Sequence, residues 1–189
     1  MRKFLTGMAF LCAAALPSAG EDLQQRMELC LACHGETGQS KTPEVPSLGA
    51  EPAPYVLIQL YLFREKQRSV ELMNDAANGL TDDDLRRFSD FIAKLPAPKP
   101  PQVHSDVTRM EKGKTLAERY HCGFCHNRDF SGHDNVPRIA AQREDYIVKT
   151  LREYKSNTRP GYDATMAEVL QPIPDAEILD LAYYVARIP

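Results

Sequence analysis

The chain has 189 residues, with 23 Lys and Arg against 26 Asp and Glu, five Cys, five His and no Trp. That length leaves room for one ordinary domain or two small ones, and a slightly acidic balance without a basic stripe argues against a nucleic-acid partner. Residues 21–101 carry nine basic against thirteen acidic side chains and residues 102–189 twelve against thirteen, so the acidity sits mostly in the first half. A partner with positive surface character suits it better.

The N-terminus reads Met1-Arg2-Lys3, then a mostly apolar run from Phe4 to Leu16, then Pro17-Ser18-Ala19-Gly20 before Glu21-Asp22. Charged, apolar, then small is the order of a secretory signal peptide, so residues 1–20 are read as an export signal cleaved after Ala19 or Gly20. The apolar run falls short of the ~20 residues a spanning helix needs, and no stable membrane insertion is expected after cleavage. Export places the mature chain in the periplasm.

Residues 21–95 and 106–189 then follow one plan twice. An amphipathic segment, Asp22 to Leu29 or Val107 to Tyr120, leads into Cys30-Leu31-Ala32-Cys33-His34 or Cys122-Gly123-Phe124-Cys125-His126. A loop with Gly and Pro follows, holding Pro46 or Pro137. Next comes a helical pattern, Tyr55 to Lys66 or Asp145 to Lys155, in which Val56, Leu60 and Phe63 match Ile147, Leu151 and Tyr154 on one buried face. A loop holding Met73 or Met166 precedes a last helix, Asp82 to Lys94 or Asp175 to Arg187, and Thr81 suits a helix start. Between the halves, Pro96-Ala97-Pro98-Lys99-Pro100-Pro101 sustains neither helix nor central strand, so residues 96–105 read as a semi-rigid linker. Strand-like alternation is nearly absent, and the predicted class is all-α.

Cys-x-x-Cys-His is the signature of c-type haem attachment. Two sulfurs add to the two vinyl groups of one porphyrin, and the histidine reaches the iron from the same side. A lone Cys-x-x-Cys also fits a zinc site or a thiol redox pair, but two copies, each followed by His, in a duplicated chain behind an export signal favour haem. Cys30, Cys33, Cys122 and Cys125 are therefore read as attachment residues, and His34 and His126 as proximal iron ligands, for two covalent haem c groups. Met73 is the only methionine after His34 in the first half and Met166 the only one after His126, at similar separations, so both are read as the sixth ligands. His104, His121 and His133 lie in polar or linker contexts and are read as solvated. Each half is small enough that a protein core alone is marginal, and a buried haem would supply the missing apolar centre.

These residues resemble class I cytochromes c, and the duplication resembles the di-haem cytochromes of the c-four type, over essentially the whole mature chain. The resemblance implies crossed N- and C-terminal helices in each domain, proline carbonyls at Pro46 and Pro137 that orient the proximal histidines, and haem propionate edges that approach one another. It also implies a glycine-on-aromatic helix crossing, which Gly113 and Tyr184 satisfy in the second half; in the first half Phe91 is present but Glu21 replaces the glycine. Ile58, Tyr61 and Leu62 align with Lys149, Arg152 and Glu153, so the first half carries an extra apolar stripe that suits either its own core or a contact. The expected function is a periplasmic electron carrier, not an enzyme, between a quinol-oxidising complex or dehydrogenase and a terminal oxidase or reductase. The alternative is the haem-bearing electron-transfer subunit of a flavocytochrome c sulfide dehydrogenase or a similar periplasmic dehydrogenase, with a flavoprotein dehydrogenase as partner.

Overall fold

The structure, a computed structural model, describes residues 19–159 and 164–189, with side chains from Leu23 onward. The export signal read at residues 1–20 lies outside the described residues except for the backbone of Ala19 and Gly20, which opens the first helix. Helices account for the regular structure of both halves. Among the described residues the only bridge between extended segments pairs His133 with Val136.

The first half contains α1 (Ala19–His34), α2 (Ala53–Arg64), α3 (Glu71–Ala77) and α4 (Asp82–Ala93). Pro54 sits in the first turn of α2, where a missing N–H leaves no bond unmade. Thr81 caps α4 through a reciprocal box: its hydroxyl accepts from Asp84 N–H at 3.1 Å, and the Asp84 carboxylate accepts from Thr81 N–H at 2.9 Å. Met27, Leu31, Val56, Phe63, Leu85 and Phe88 fill the core between these helices. Arg26 of α1 pairs with Asp84 at 2.9 Å and lies over the Phe88 ring, fastening α1 to α4.

The second half contains α5 (Val107–Arg119), α6 (Cys122–Cys125), α7 (Glu144–Lys155), α8 (Thr165–Leu170) and α9 (Asp175–Val185). Here α5 crosses α9 at Gly113, where an added Cβ would lie 2.4 Å from both the Asp180 carbonyl oxygen and Tyr184 Cβ. The crossing predicted from Gly113 and Tyr184 is therefore present, and only a residue without a side chain fits it. Leu116, Ile173, Ile178 and Leu181 lie behind it as the second core.

Met73 and Met166 sit on the short helices α3 and α8, not in the loops expected from sequence. Long-range side chains close these turns. Asn74 donates to the Phe63 and Arg68 carbonyls at 2.7 and 2.8 Å while its own carbonyl accepts from Val70 N–H at 2.9 Å, which ties α3 to the end of α2. Gln171 donates to Lys155 O at 2.8 Å and ties the end of α8 to α7.

The proline run is neither helix nor strand, but it is not free. Gln39 donates to Lys99 O at 2.8 Å and accepts from Lys99 N–H at 3.3 Å, strapping the run along the first half. The apolar stripe of α2 divides: Leu62 is buried, Ile58 half-buried, and Tyr61 exposed with Arg64 over its ring.

Candidate functional site

In the first half the attachment motif forms the last turns of α1, so Cys30, Cys33 and His34 continue a helix that already packs on the core. In the second half α5 stops at Arg119, His121 turns the chain in the left-handed region with φ 54, and the motif occupies the separate short helix α6. Both routes end alike. His34 is 6% exposed and donates from Nδ1 to Pro46 O at 2.8 Å; His126 is 7% exposed and donates from Nδ1 to Pro137 O at 2.9 Å. A ring nitrogen facing a carbonyl must carry the proton, so Nε2 keeps its lone pair, which is the form that binds a metal. Burial pushes both imidazoles below the usual histidine range, and the proline carbonyls only partly oppose it.

Among the described residues Cys30 and Cys122 are half-buried and Cys33 and Cys125 exposed, and none of them is paired in a disulfide. Burial pushes the Cys30 and Cys122 thiols up, whereas a thiol redox pair works through a lowered thiol pKa. Among the described residues no three His, Cys, Asp or Glu side chains gather to hold a bare metal ion. Cys30 and Met73 both border the first core, and Cys122 and Met166 both border the second. His104, His121 and His133 are exposed, and His133 bonds Asp134 at 3.1 Å.

Between the halves lies a buried polar cluster that sequence reading did not single out. Arg68 and Arg159 each stand twenty-two residues beyond their proline, at matched places in the duplication. They are 8% and 5% exposed, and both donate to the Tyr146 hydroxyl at 3.3 Å. Arg68 also donates to Gln59 at 2.6 Å and Arg159 to Thr150 at 3.2 Å. Burial pushes Tyr146 up, but the two guanidiniums outweigh it and hold the hydroxyl at about 8; Tyr55 beside it is pushed up by burial and by Tyr146. The buried Nε atoms of Arg159 and Arg138 have no hydrogen-bond partner. Guanidinium N–H groups buried without an acceptor are costly, and a haem carries two carboxylates able to accept from them. The residues present therefore fit haem: covalent attachment points, a neutral imidazole, a thioether on each core and orphaned cationic donors.

No protein-family model matches the chain. Several curated relatives do. Cytochrome c-554(548) of Halomonas halodenitrificans is 37% identical over 79 residues, covering 40% of this chain and 92% of that one. Cytochrome c4 of Pseudomonas aeruginosa is 26% identical over 96% of this chain and 92% of its own length. A protein of Thiomonas intermedia named thiosulfate dehydrogenase electron acceptor is 26% identical over 100% of this chain and 95% of that one. Among solved structures, reduced cytochrome c4 from Pseudomonas stutzeri superposes with a TM-score of 0.79 at 23% identity, covering 92% of this chain and 100% of that one.

Proposed function

The chain is a di-haem class I cytochrome c of the c4 type, an electron-transfer protein with two covalent haem c groups, and from that premise we propose that it acts in the periplasm through two His/Met haem sites. In this reading it passes single electrons from a quinol-oxidising complex or a dehydrogenase to a terminal oxidase or reductase. The observation that carries it is the matched pair of bonds from His34 and His126 to Pro46 and Pro137 at 2.8 and 2.9 Å. Each aims one neutral imidazole nitrogen away from the carbonyl, ready to ligate. Each haem supplies a one-electron Fe(III)/Fe(II) couple when bound. Cys30, Cys33, Cys122 and Cys125 would tether the groups, and Met73 and Met166, half-buried on the two cores, would each supply a thioether ligand to the iron and so leave it no open position for a substrate. A neutral thioether favours the reduced ion and raises the potential.

The order of charged, apolar and small residues before Glu21 supports export, and among the described residues no helix is long and apolar enough to cross a membrane. The boundaries that go with this reading are residues 21–95 for the first domain, 96–105 for the linker and 106–189 for the second. A redox titration of the holoprotein, followed by optical and magnetic spectra, tests it. Two haems and a Met-to-iron charge-transfer band are expected, with part of the band lost in Met73→Ala and part in Met166→Ala. A band intact in both variants would overturn the ligand assignment.

One observation favours a second reading, in which the chain is the dedicated acceptor of a dehydrogenase: the Thiomonas relative carries that name and aligns along the whole chain. A free carrier purifies alone and binds partners weakly and in a salt-sensitive way. A dedicated acceptor purifies with its dehydrogenase in fixed stoichiometry.

A further inference from the structure

The two prolines that hold the histidines are each followed by a residue gripped from the other half of the molecule. The peptide Pro46–Ser47 presents its carbonyl to His34 Nδ1–H at 2.8 Å and its N–H to Gln142 Oε1 at 2.7 Å. The peptide Pro137–Arg138 presents its carbonyl to His126 Nδ1–H at 2.9 Å and its N–H to Glu51 Oε2 at 3.0 Å. Glu51 stands five residues beyond Pro46, and Gln142 five beyond Pro137. The contact is therefore reciprocal: the residue five places after the proline in one half reaches the residue directly after the proline in the other. Such an exchange is the signature of an interface with two-fold character. Glu51 and Gln142 are each 6% exposed, and Ser47 is 2% exposed.

The geometry points to Glu51 and Gln142 as cross-domain positioning residues, each of which tunes the proximal histidine of the opposite domain through one shared peptide unit. A peptide whose N–H is engaged is a stronger acceptor at its carbonyl, because linked hydrogen bonds polarise one another. A stronger bond to Nδ1–H makes the imidazole a better donor to its metal, and hydrogen bonding beyond the ligands is a recognised lever on haem potential. The relay runs Gln142, Ser47 N–H, Pro46 carbonyl, His34 in one direction, and Glu51, Arg138 N–H, Pro137 carbonyl, His126 in the other. It also differs between the two directions. Gln142 uses both ends of its amide, donating from Nε2 to Ser47 O at 2.9 Å as well as accepting, and its oxygen takes a second bond from Arg143 N–H at 3.0 Å. Glu51 supplies an accepting oxygen to Arg138 N–H.

The inference rests on His34 and His126 ligating haem, which a haem count and axial-ligand spectra of the unsubstituted protein check separately. Its own test uses the holoprotein and two readouts: the potential of each haem, and the ring N–H proton resonance of each proximal histidine in the diamagnetic Fe(II) state. Gln142→Leu, a change in the second half, is expected to shift the His34 resonance and raise the potential of the first-half haem while leaving the second-half values in place. Glu51→Leu is expected to do the reverse, moving only His126 and its haem. Gln142→Glu keeps an oxygen facing Ser47 N–H and is expected to restore the His34 resonance towards its original position. Should Gln142→Leu fail to hold haem, Glu51→Leu and Gln142→Glu read the same relay. A shift confined to the substituted residue's own half, equal shifts in both halves, or no shift at all would overturn the inference.

Discussion

The two halves reach the same histidine geometry by different local routes. In the first, α1 runs unbroken from Ala19 to His34 and is fastened to α4 by Arg26 with Asp84 and Phe88. In the second, the chain turns at His121 and a separate four-residue helix carries the motif, while α5 is locked against α9 by the close approach at Gly113. Yet the distances from Nδ1 to the proline oxygens differ by only 0.1 Å, 2.8 against 2.9 Å. The duplication has kept the groups that aim the imidazole and let the helix entry diverge. The same contrast reaches the border between the halves, where Gln142 faces Ser47 and an acid, Glu51, faces Arg138.

The largest effect is expected from removing one attachment site. With Cys30 and Cys33 both replaced by Ala, the first half should lose its haem and its cooperative fold, because a core of that size is marginal without its apolar centre. The second half should keep one haem with its Met-to-iron band. A first half that stays well dispersed by NMR would break the comparison at its root.

Next comes Gly113→Val, which forces side-chain atoms into the 2.4 Å approach of Asp180 O and Tyr184 Cβ. Overpacking of this kind costs about 1–3 kcal/mol or more, and denaturant unfolding followed at the second haem should show it while the first half unfolds at its original midpoint. Equal loss in both halves would mean that the crossing supports the whole molecule.

A pH effect separates Glu51 from its twin. Burial pushes the Glu51 carboxyl up to about 8 from an ordinary 4.5, with the Arg138 backbone N–H and guanidinium pulling the other way. Tyr55 faces it, and Tyr146, Arg68 and Arg159 lie beyond Tyr55. A folded-state value above the unfolded one means that the buried acid costs nothing below about pH 4.5 and destabilises increasingly as pH rises towards 8. Glu51→Gln should therefore flatten the fall in melting temperature between pH 5 and pH 8.5. Exposed histidines are common to both proteins and cancel in the difference. An unchanged pH profile would show that Glu51 ionises normally.

The smallest effect is expected at Tyr61, 41% exposed on the stripe where the second half is charged. Tyr61→Lys should change stability by less than about 0.5 kcal/mol in denaturant unfolding. A loss of partner turnover in that variant, with stability intact, would assign the residue to docking.

Much of the site was legible in advance for a local reason. Cys-x-x-Cys-His is a spacing along one stretch of chain, and the paired placement of Met73, Met166, Pro46 and Pro137 follows from laying one half over the other. Where the methionines sit was not legible, because α3 is closed by Asn74 reaching back to Phe63 and Arg68, a contact that no helical periodicity encodes. Arg68 and Arg159 were equally hidden, although their identical distance from the two prolines was the available signal.

By itself the sequence determined the chemistry: two haem attachment motifs, each with a histidine beside its cysteines, and two repeats of a helical plan, all properties of residues close in the chain. Only the tertiary structure decided that the halves hold one another's histidines. Ser47 and Gln142 are 95 residues apart and Arg138 and Glu51 are 87 apart, so their meeting depends on how the two folded halves pack. Packing also decides the charge carried at the border. A glutamate in a sequence reads as an anion, and burial, outweighing the opposite pull of Arg138, pushes the Glu51 carboxyl up to about 8.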